Sequence, residues 1–352
     1  MRLYLSTLAK KIGVSCSYRL KKARHNAFLA EATLPRVVHI ENTNACNARC
    51  VMCPREKMKR PVGYMDLALF KRLIDECSQW DSLEEVHLHG FGEPLIDPYL
   101  TERVRYAKEK GIRDTYVVTN ASLLTSEVSE RLICAGLDRI KVSFYGATKE
   151  AYEVIHRGLT FEVVKDNVRD LFDVRRRLDR SNPRICLQFL PQSANSHEEG
   201  IFKDTWQDII DLSRGDRLSQ AQLHNYATGR VYNPVNKKAR RTSCGLPFET
   251  MHILWNGDVA PCCYDYNGCL VLGNVVAAGL REVWNNKAFQ HLRKVHRNRT
   301  FSRVPLCDGC DQLKVPRSIE KRLLSYFALT IPPERDVAVA GGAEKREAAL
   351  KS

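Results

Sequence analysis

The chain has 352 residues, 44% of them hydrophobic and 27% charged, with a formal net charge of +14. That length suits one large domain beside a smaller one, and the composition is that of an ordinary globular protein. No run approaches the roughly 18 apolar residues of a membrane span. The opening stretch, MRLYLSTLAKKIGVS, lacks an apolar core with a small-residue cleavage site, so no signal peptide is read and a cytoplasmic location is expected. The basic excess is spread along the chain, densest at 10–24, 175–180 and 237–241, with no RNA- or DNA-binding motif beside it. Nucleic acid is therefore not expected as a partner.

Residues 1–34 read as a basic helical lead-in, with Leu5, Leu8 and Ile12 at helical spacing. From there the chain alternates β-rich runs with amphipathic helical patterns. Strands are expected at 37–41, 85–89, 115–119, 140–144, 185–190 and 221–225, and helices at 67–79, 99–110, 126–135, 161–178 and 202–212. Asp66 fits as the cap of the first helix and Gly136 as the terminator of the third. This βα rhythm predicts an α/β fold, a partial (β/α)6 barrel over 35–235, with its site at the C-terminal ends of the strands. A basic linker covers 229–243, a small cysteine-rich domain is expected over 236–330, and the polar tail 331–352 is expected to be disordered.

Thirteen cysteines in a chain without an export signal are the main clue. A reducing compartment disfavours disulfides, so clustered thiols there point to metal or redox chemistry. Cys16, Cys77, Cys134, Cys186, Cys263 and Cys269 stand outside the two constellations and default to small buried hydrophobes. The first constellation, Cys46, Cys50 and Cys53, follows the first strand with CxxxCxxC spacing. Three thiolates hold three corners of a four-iron cluster and leave one iron open for chemistry; an incomplete zinc site is the alternative. The second constellation is Cys244, Cys262, Cys307 and Cys310, which fits a four-thiolate zinc site or a fully ligated cluster equally well.

The triplet in its position resembles the signature of the radical S-adenosylmethionine (SAM) superfamily, with Met52 where that family usually has an aromatic residue. His89-Gly90-Phe91-Gly92-Glu93-Pro94 resembles the family's Gly-Gly-Glu-Pro motif, with Phe91 in place of the first glycine. Trp255-Asn256-Gly257-Asp258-Val259-Ala260-Pro261-Cys262-Cys263 and the words that follow resemble the start of an auxiliary-cluster (SPASM) domain, in the shortened Twitch form. Together these resemblances cover about 37–315.

The resemblance implies a SAM-binding 4Fe–4S cluster on Cys46, Cys50 and Cys53, and an auxiliary 4Fe–4S cluster on Cys244, Cys262, Cys307 and Cys310. It implies SAM held by Gly92, Glu93, Asn120, Ser143 and Arg157, and a low-potential reductant such as flavodoxin or ferredoxin. The expected reaction is oxidation of a small polar substrate, a sugar or aminocyclitol, with the second electron passing to the auxiliary cluster. Asp265 is the candidate proton acceptor. The alternatives are a peptide maturase or an epimerase using Cys263 as hydrogen donor, and a non-enzymatic zinc or electron-carrier protein. No residue set in the sequence reads out the substrate.

Overall fold

The computed structural model describes residues 34–226 and 243–311. The expected lead-in, the boundary at 235/236, most of the linker and the tail lie outside these residues. Six strands run parallel: β1 (Val37–Ile40), β2 (Glu85–Leu88), β3 (Asp114–Thr119), β4 (Arg139–Ser143), β5 (Arg184–Phe189) and β6 (Arg217–Gln220). Between them lie α1 (Leu67–Cys77), α2 (Leu100–Glu109), α3 (Ser126–Cys134), α4 (Lys149–Ile155), α5 (Phe161–Arg177) and α6 (Glu199–Trp206). The order β6-β5-β4-β3-β2-β1 is that of an open (β/α)6 sheet, as expected.

The cysteine-rich region continues the same sheet. It contributes α7 (Leu246–Glu249), β7 (Thr250–Ile253), β8 (Asp258–Ala260), β9 (Gly273–Asn274), α8 (Leu280–Asn285), α9 (Lys287–Asn298) and α10 (Pro305–Asp308). β7 pairs parallel with the free side of β1, and β8 and β9 follow antiparallel, giving nine strands that do not close.

Local chemistry explains the elements. The Asp66 carboxylate accepts from the Leu69 amide at 2.9 Å and caps α1. Gly136 ends α3 in the left-handed region, with φ +89°. Along β1 to β5 one set of alternate residues, Val38, Val86, Val117, Ile140 and Ile185, is fully buried with the helices' apolar stripes. The other set is largely polar, with Val37, Val118 and Cys186 as its apolar members, and it lines the opposite face of the sheet.

Three expectations need correction. The sixth strand lies at Arg217–Gln220 rather than 221–225. It has β5 alone as neighbour and is half-exposed, so it carries no apolar run to mark it. The last barrel helix is Glu199–Trp206, not 202–212, because Asp211 caps a separate turn by accepting from the Ser213 and Arg214 amides. The short α4 was not expected at all; Thr148 caps it through the Ala151 amide. No helix among the described residues is long and apolar enough to cross a membrane.

One buried ion pair locks α5 to the edge of the sheet. Both Arg175 guanidinium nitrogens donate to Asp216, at 2.7 and 2.6 Å, and the Ile185 amide donates to the same carboxylate at 2.8 Å. The two side chains are 5% and 0% exposed. Removing one partner strands the other's charge in a dry site, so Asp216→Ala is expected to cost about 3–5 kcal/mol. Urea unfolding should show this as a lower midpoint at an unchanged slope.

Candidate active site

The loops after the strands carry most of the residues singled out from the sequence. The cysteine loop leaves β1 and is pinned to the far side of the barrel by backbone bonds. The Arg49 amide donates to the Arg157 carbonyl at 2.8 Å and the Val51 amide to the Ile155 carbonyl at 3.0 Å. Arg55 closes the loop by donating to the Cys46 carbonyl at 2.9 Å. Burial raises the Cys46, Cys50 and Cys53 thiols; the neighbouring thiols raise Cys50 and Cys53 further. Thiols grouped in a dry site ionise readily only against a cation, which cluster iron supplies. A single zinc ion would hold its thiolates about 3.8 Å apart. Among the described residues only three histidines bring ligand atoms all within 4.8 Å of one another, and neither cysteine set is that tight. The donor set therefore fits a cluster better than a mononuclear ion.

Cys50 has a second neighbour that the sequence did not disclose. The buried His156 Nε2 accepts from the Tyr145 amide at 3.4 Å, and its Nδ1 lies 3.1 Å from the Cys50 sulfur. Burial pushes this imidazole down to about 3, so it is neutral. Its one proton is on Nδ1 and points at sulfur.

The Gly-Glu-Pro segment docks onto the cysteine loop. The Glu93 amide donates to the Ala45 carbonyl at 2.7 Å. A Cβ on Gly92 would stand 2.5 Å from the carbonyl oxygens of Ala45 and Thr43, so only glycine fits. Glu93 is buried, and its carboxylate accepts from Thr119 Oγ1 (2.6 Å), the Leu95 amide (3.1 Å) and the Asn120 amide (2.7 Å). Burial nonetheless raises it to about 7. Such a carboxylate favours a cationic neighbour. Asn120 donates through its amide to Asn47 at 3.0 Å, tying the end of β3 to the cysteine loop. Ser143 is the last residue of β4 and bonds Tyr145. The Arg157 side chain is exposed and makes no ion pair among the described residues.

The polar face of the sheet is a feature that sequence reasoning missed. In register across β7, β1, β2, β3 and β4 lie His252, His39, His87, Tyr116 and Arg139. His89, Lys141 and Gln188 stand on the same face. Burial holds His39 and His89 well below the ordinary imidazole range, and neighbouring histidines add to this. Arg139 is neutralised by Glu85 and Asp114 at 2.8 and 2.7 Å. The available signal was alternation: His87-Leu88-His89 and Arg139-Ile140-Lys141 put polar groups two residues apart in otherwise apolar strands.

The second constellation assembles as well. Cys244, Cys262, Cys307 and Cys310 line one cavity, with Tyr226, Tyr264, His296 and Asp311 among its other walls. Burial raises Cys262 far above the ordinary thiol range, and Cys263, Cys244 and Cys307 add to it. The Asn225 amide donates to Asp311 at 3.2 Å, joining the barrel's last loop to this knuckle. Cys263 is not among the residues lining the cavity and lies close enough to Tyr264 and Tyr226 to raise both phenols. Asp265 is buried, and its two oxygens accept from the Cys269 and Leu270 amides at 2.8 and 2.9 Å, which makes it the holder of a turn.

Residues 40–180 match the radical SAM superfamily, and residues 244–311 match SPASM, an iron–sulfur cluster-binding domain. The chain belongs to the radical SAM superfamily and carries a SPASM domain behind its barrel. SAM and iron–sulfur clusters go with that pair of domains.

Among its relatives is the S-adenosyl-L-methionine-dependent 2-deoxy-scyllo-inosamine dehydrogenase of Niallia circulans. The two are 24% identical over 284 residues, covering 79% of this chain and 94% of that one. The tungsten-containing aldehyde ferredoxin oxidoreductase cofactor-modifying protein of Pyrococcus furiosus is 21% identical over 79% of this chain and 90% of its own. The crystal structure of BtrN in complex with AdoMet and 2-DOIA aligns with a TM-score of 0.57 at 22% identity, over 80% of this chain and 95% of that one. Streptococcus suis SuiB bound to precursor peptide SuiA gives 0.60 at 14% identity, over 77% and 70%. At these identities the structures speak for the fold alone.

The Gly92 contact yields a direct test. Gly92→Ala should push the Glu93 segment off the cysteine loop and cost about 1–3 kcal/mol. Hydrogen exchange should quicken at the Glu93 amide, and the variant should bind SAM more weakly than wild type.

Proposed function

We propose that the protein is a SAM-consuming dehydrogenase that oxidises a carbinol carbon of a small polar substrate such as a sugar or aminocyclitol. What carries the reading is the pairing of two sites: a four-cysteine cavity beside the barrel, and a barrel face lined by imidazole, amine and amide groups. The near full-length likeness to an aminocyclitol dehydrogenase supports it. In this reading Cys46, Cys50 and Cys53 hold the SAM-binding cluster, and Cys244, Cys262, Cys307 and Cys310 hold the auxiliary one. A cluster held there would supply, from a flavodoxin- or ferredoxin-like donor, the electron for reductive cleavage of SAM.

The protein's own groups do the rest. Gly92 lets the backbone come close to the methionine end of SAM, and Glu93 offers its carboxylate to the ammonium. The His156 N–H on Cys50 sulfur stabilises the thiolate. The polar barrel face orients the hydroxyl-bearing carbon and excludes other groups. The substrate loses one hydrogen atom, one proton and one electron to become a ketone. The electron that entered through SAM is thus matched by one that leaves to the four-cysteine site. Asp265 holds its loop through one amide on each oxygen, keeps a lone pair on both, and is the proposed acceptor of the hydroxyl proton.

Three sets of variants test this. Anaerobically reconstituted wild type should hold about eight irons, and Cys46/Cys50/Cys53→Ala about four. Cys307/Cys310→Ala should still form 5′-deoxyadenosine on a panel of aminocyclitols but lose the ketone. Cys263→Ser should keep ketone formation. If it abolishes turnover and wild type returns an inverted alcohol, the protein is an epimerase and the dehydrogenase reading fails.

A further inference from the structure

The row of histidines across the sheet has a geometry that substrate recognition does not require. One ring nitrogen from each of His39, His87 and His89 lies within 4.8 Å of the other two. The ring centroids stand 4.5 Å (His39–His89), 5.3 Å (His39–His87) and 5.6 Å (His87–His89) apart. Three imidazoles on one tetrahedral ion, with metal–nitrogen bonds near 2.0–2.1 Å, place their centroids about 5.2 Å apart. The observed spacings bracket that value.

Each ring also has an oxygen neighbour within hydrogen-bond reach of one nitrogen. His87 Nε2 lies 2.9 Å from the Glu85 carboxylate, His39 Nε2 lies 2.5 Å from the His89 carbonyl, and His89 Nδ1 lies 3.4 Å from the Tyr116 carbonyl. Each partner is an oxygen that only accepts, so each of these nitrogens carries the ring's proton. A neutral imidazole has one proton, which leaves a lone pair on the other nitrogen. Orientation by a carboxylate or a backbone carbonyl is the outer shell that metal-bound histidines have. Glu85 is itself held by Arg139 at 2.8 Å.

We propose that His39, His87 and His89 form a binding site for one divalent first-row transition ion inside the barrel, separate from both cysteine sets. Imidazole donors suit zinc, iron, copper or nickel, and three of them leave a coordination position for water or an oxygen of a bound molecule. His252, with its ring 4.7 Å from that of His39, borders the site. The proposal does not depend on which substrate the enzyme oxidises.

The test uses full-length protein with its clusters reconstituted, given one equivalent of zinc and then desalted. Zinc and iron are counted, and X-ray absorption is read at the zinc edge. About one zinc per chain is expected, with nitrogen or oxygen neighbours at about 2.0–2.1 Å and no sulfur shell. His39→Gln and His87→Gln should each weaken zinc retention at least tenfold while iron content stays at the wild-type value. Failure of wild type to retain zinc overturns the proposal. So does a sulfur shell at about 2.3 Å, which would place the metal on cysteine. So does retention that neither histidine variant changes. If a variant does not fold, as shown by lost iron, the wild-type spectrum alone decides.

Discussion

A buried ion pair at the tip of β1 organises the candidate site. The Arg60 guanidinium meets Glu41 side by side, with both nitrogens donating at 2.6 and 2.5 Å. Glu41 also accepts from the Phe91 and Trp255 amides at 3.4 Å, and Arg60 donates to the Tyr266 carbonyl at 2.8 Å. Four chain segments therefore meet at one carboxylate–guanidinium contact: the cysteine loop, the Gly-Glu-Pro segment, and two loops of the SPASM domain. A planar bidentate pair fixes angle as well as distance, and a lysine at position 60 would hold these loops less firmly. The thiols of the first set, the Glu93 carboxylate and the Cys262 loop depend on that anchoring for their relative placement.

How far the sequence disclosed this arrangement depended on how local each signal was. Cys46, Cys50 and Cys53, and the Gly92-Glu93 turn, were legible because each group is contiguous in the chain. Five strands were legible because each carries a buried apolar set at alternate positions, as Val38, Val86, Val117, Ile140 and Ile185 show. β6 was misplaced because an edge strand needs no such run. The polar barrel face was invisible as a site: its histidines come from β1, β2 and β7, and only strand pairing brings His39, His87 and His252 into one row. His156 was equally hidden, since its role comes from a backbone amide at Tyr145 and a sulfur more than a hundred residues away.

The chemistry of the site is a balance between dryness and polarity. Burial alone would keep the cysteines protonated, Glu93 half-neutral and His156 uncharged. The shifts at the thiols and at Glu93 mark places that favour positive charge, which in the proposed function is cluster iron and the ammonium of SAM. His156 plays the opposite part, a neutral donor whose hydrogen bond to sulfur lowers the electron density on Cys50 without adding charge.

One consequence follows from the place of β1. It is hydrogen-bonded to β2 on one side and to β7 on the other, so the barrel and the SPASM domain share a strand rather than a hinge. The loops that carry the two thiol groups are then anchored to paired strands and not merely joined by the connecting chain. Electron tunnelling falls steeply with distance. In the proposed reaction the sheet would therefore act as a brace, holding fixed the path an electron takes between the two thiol sites.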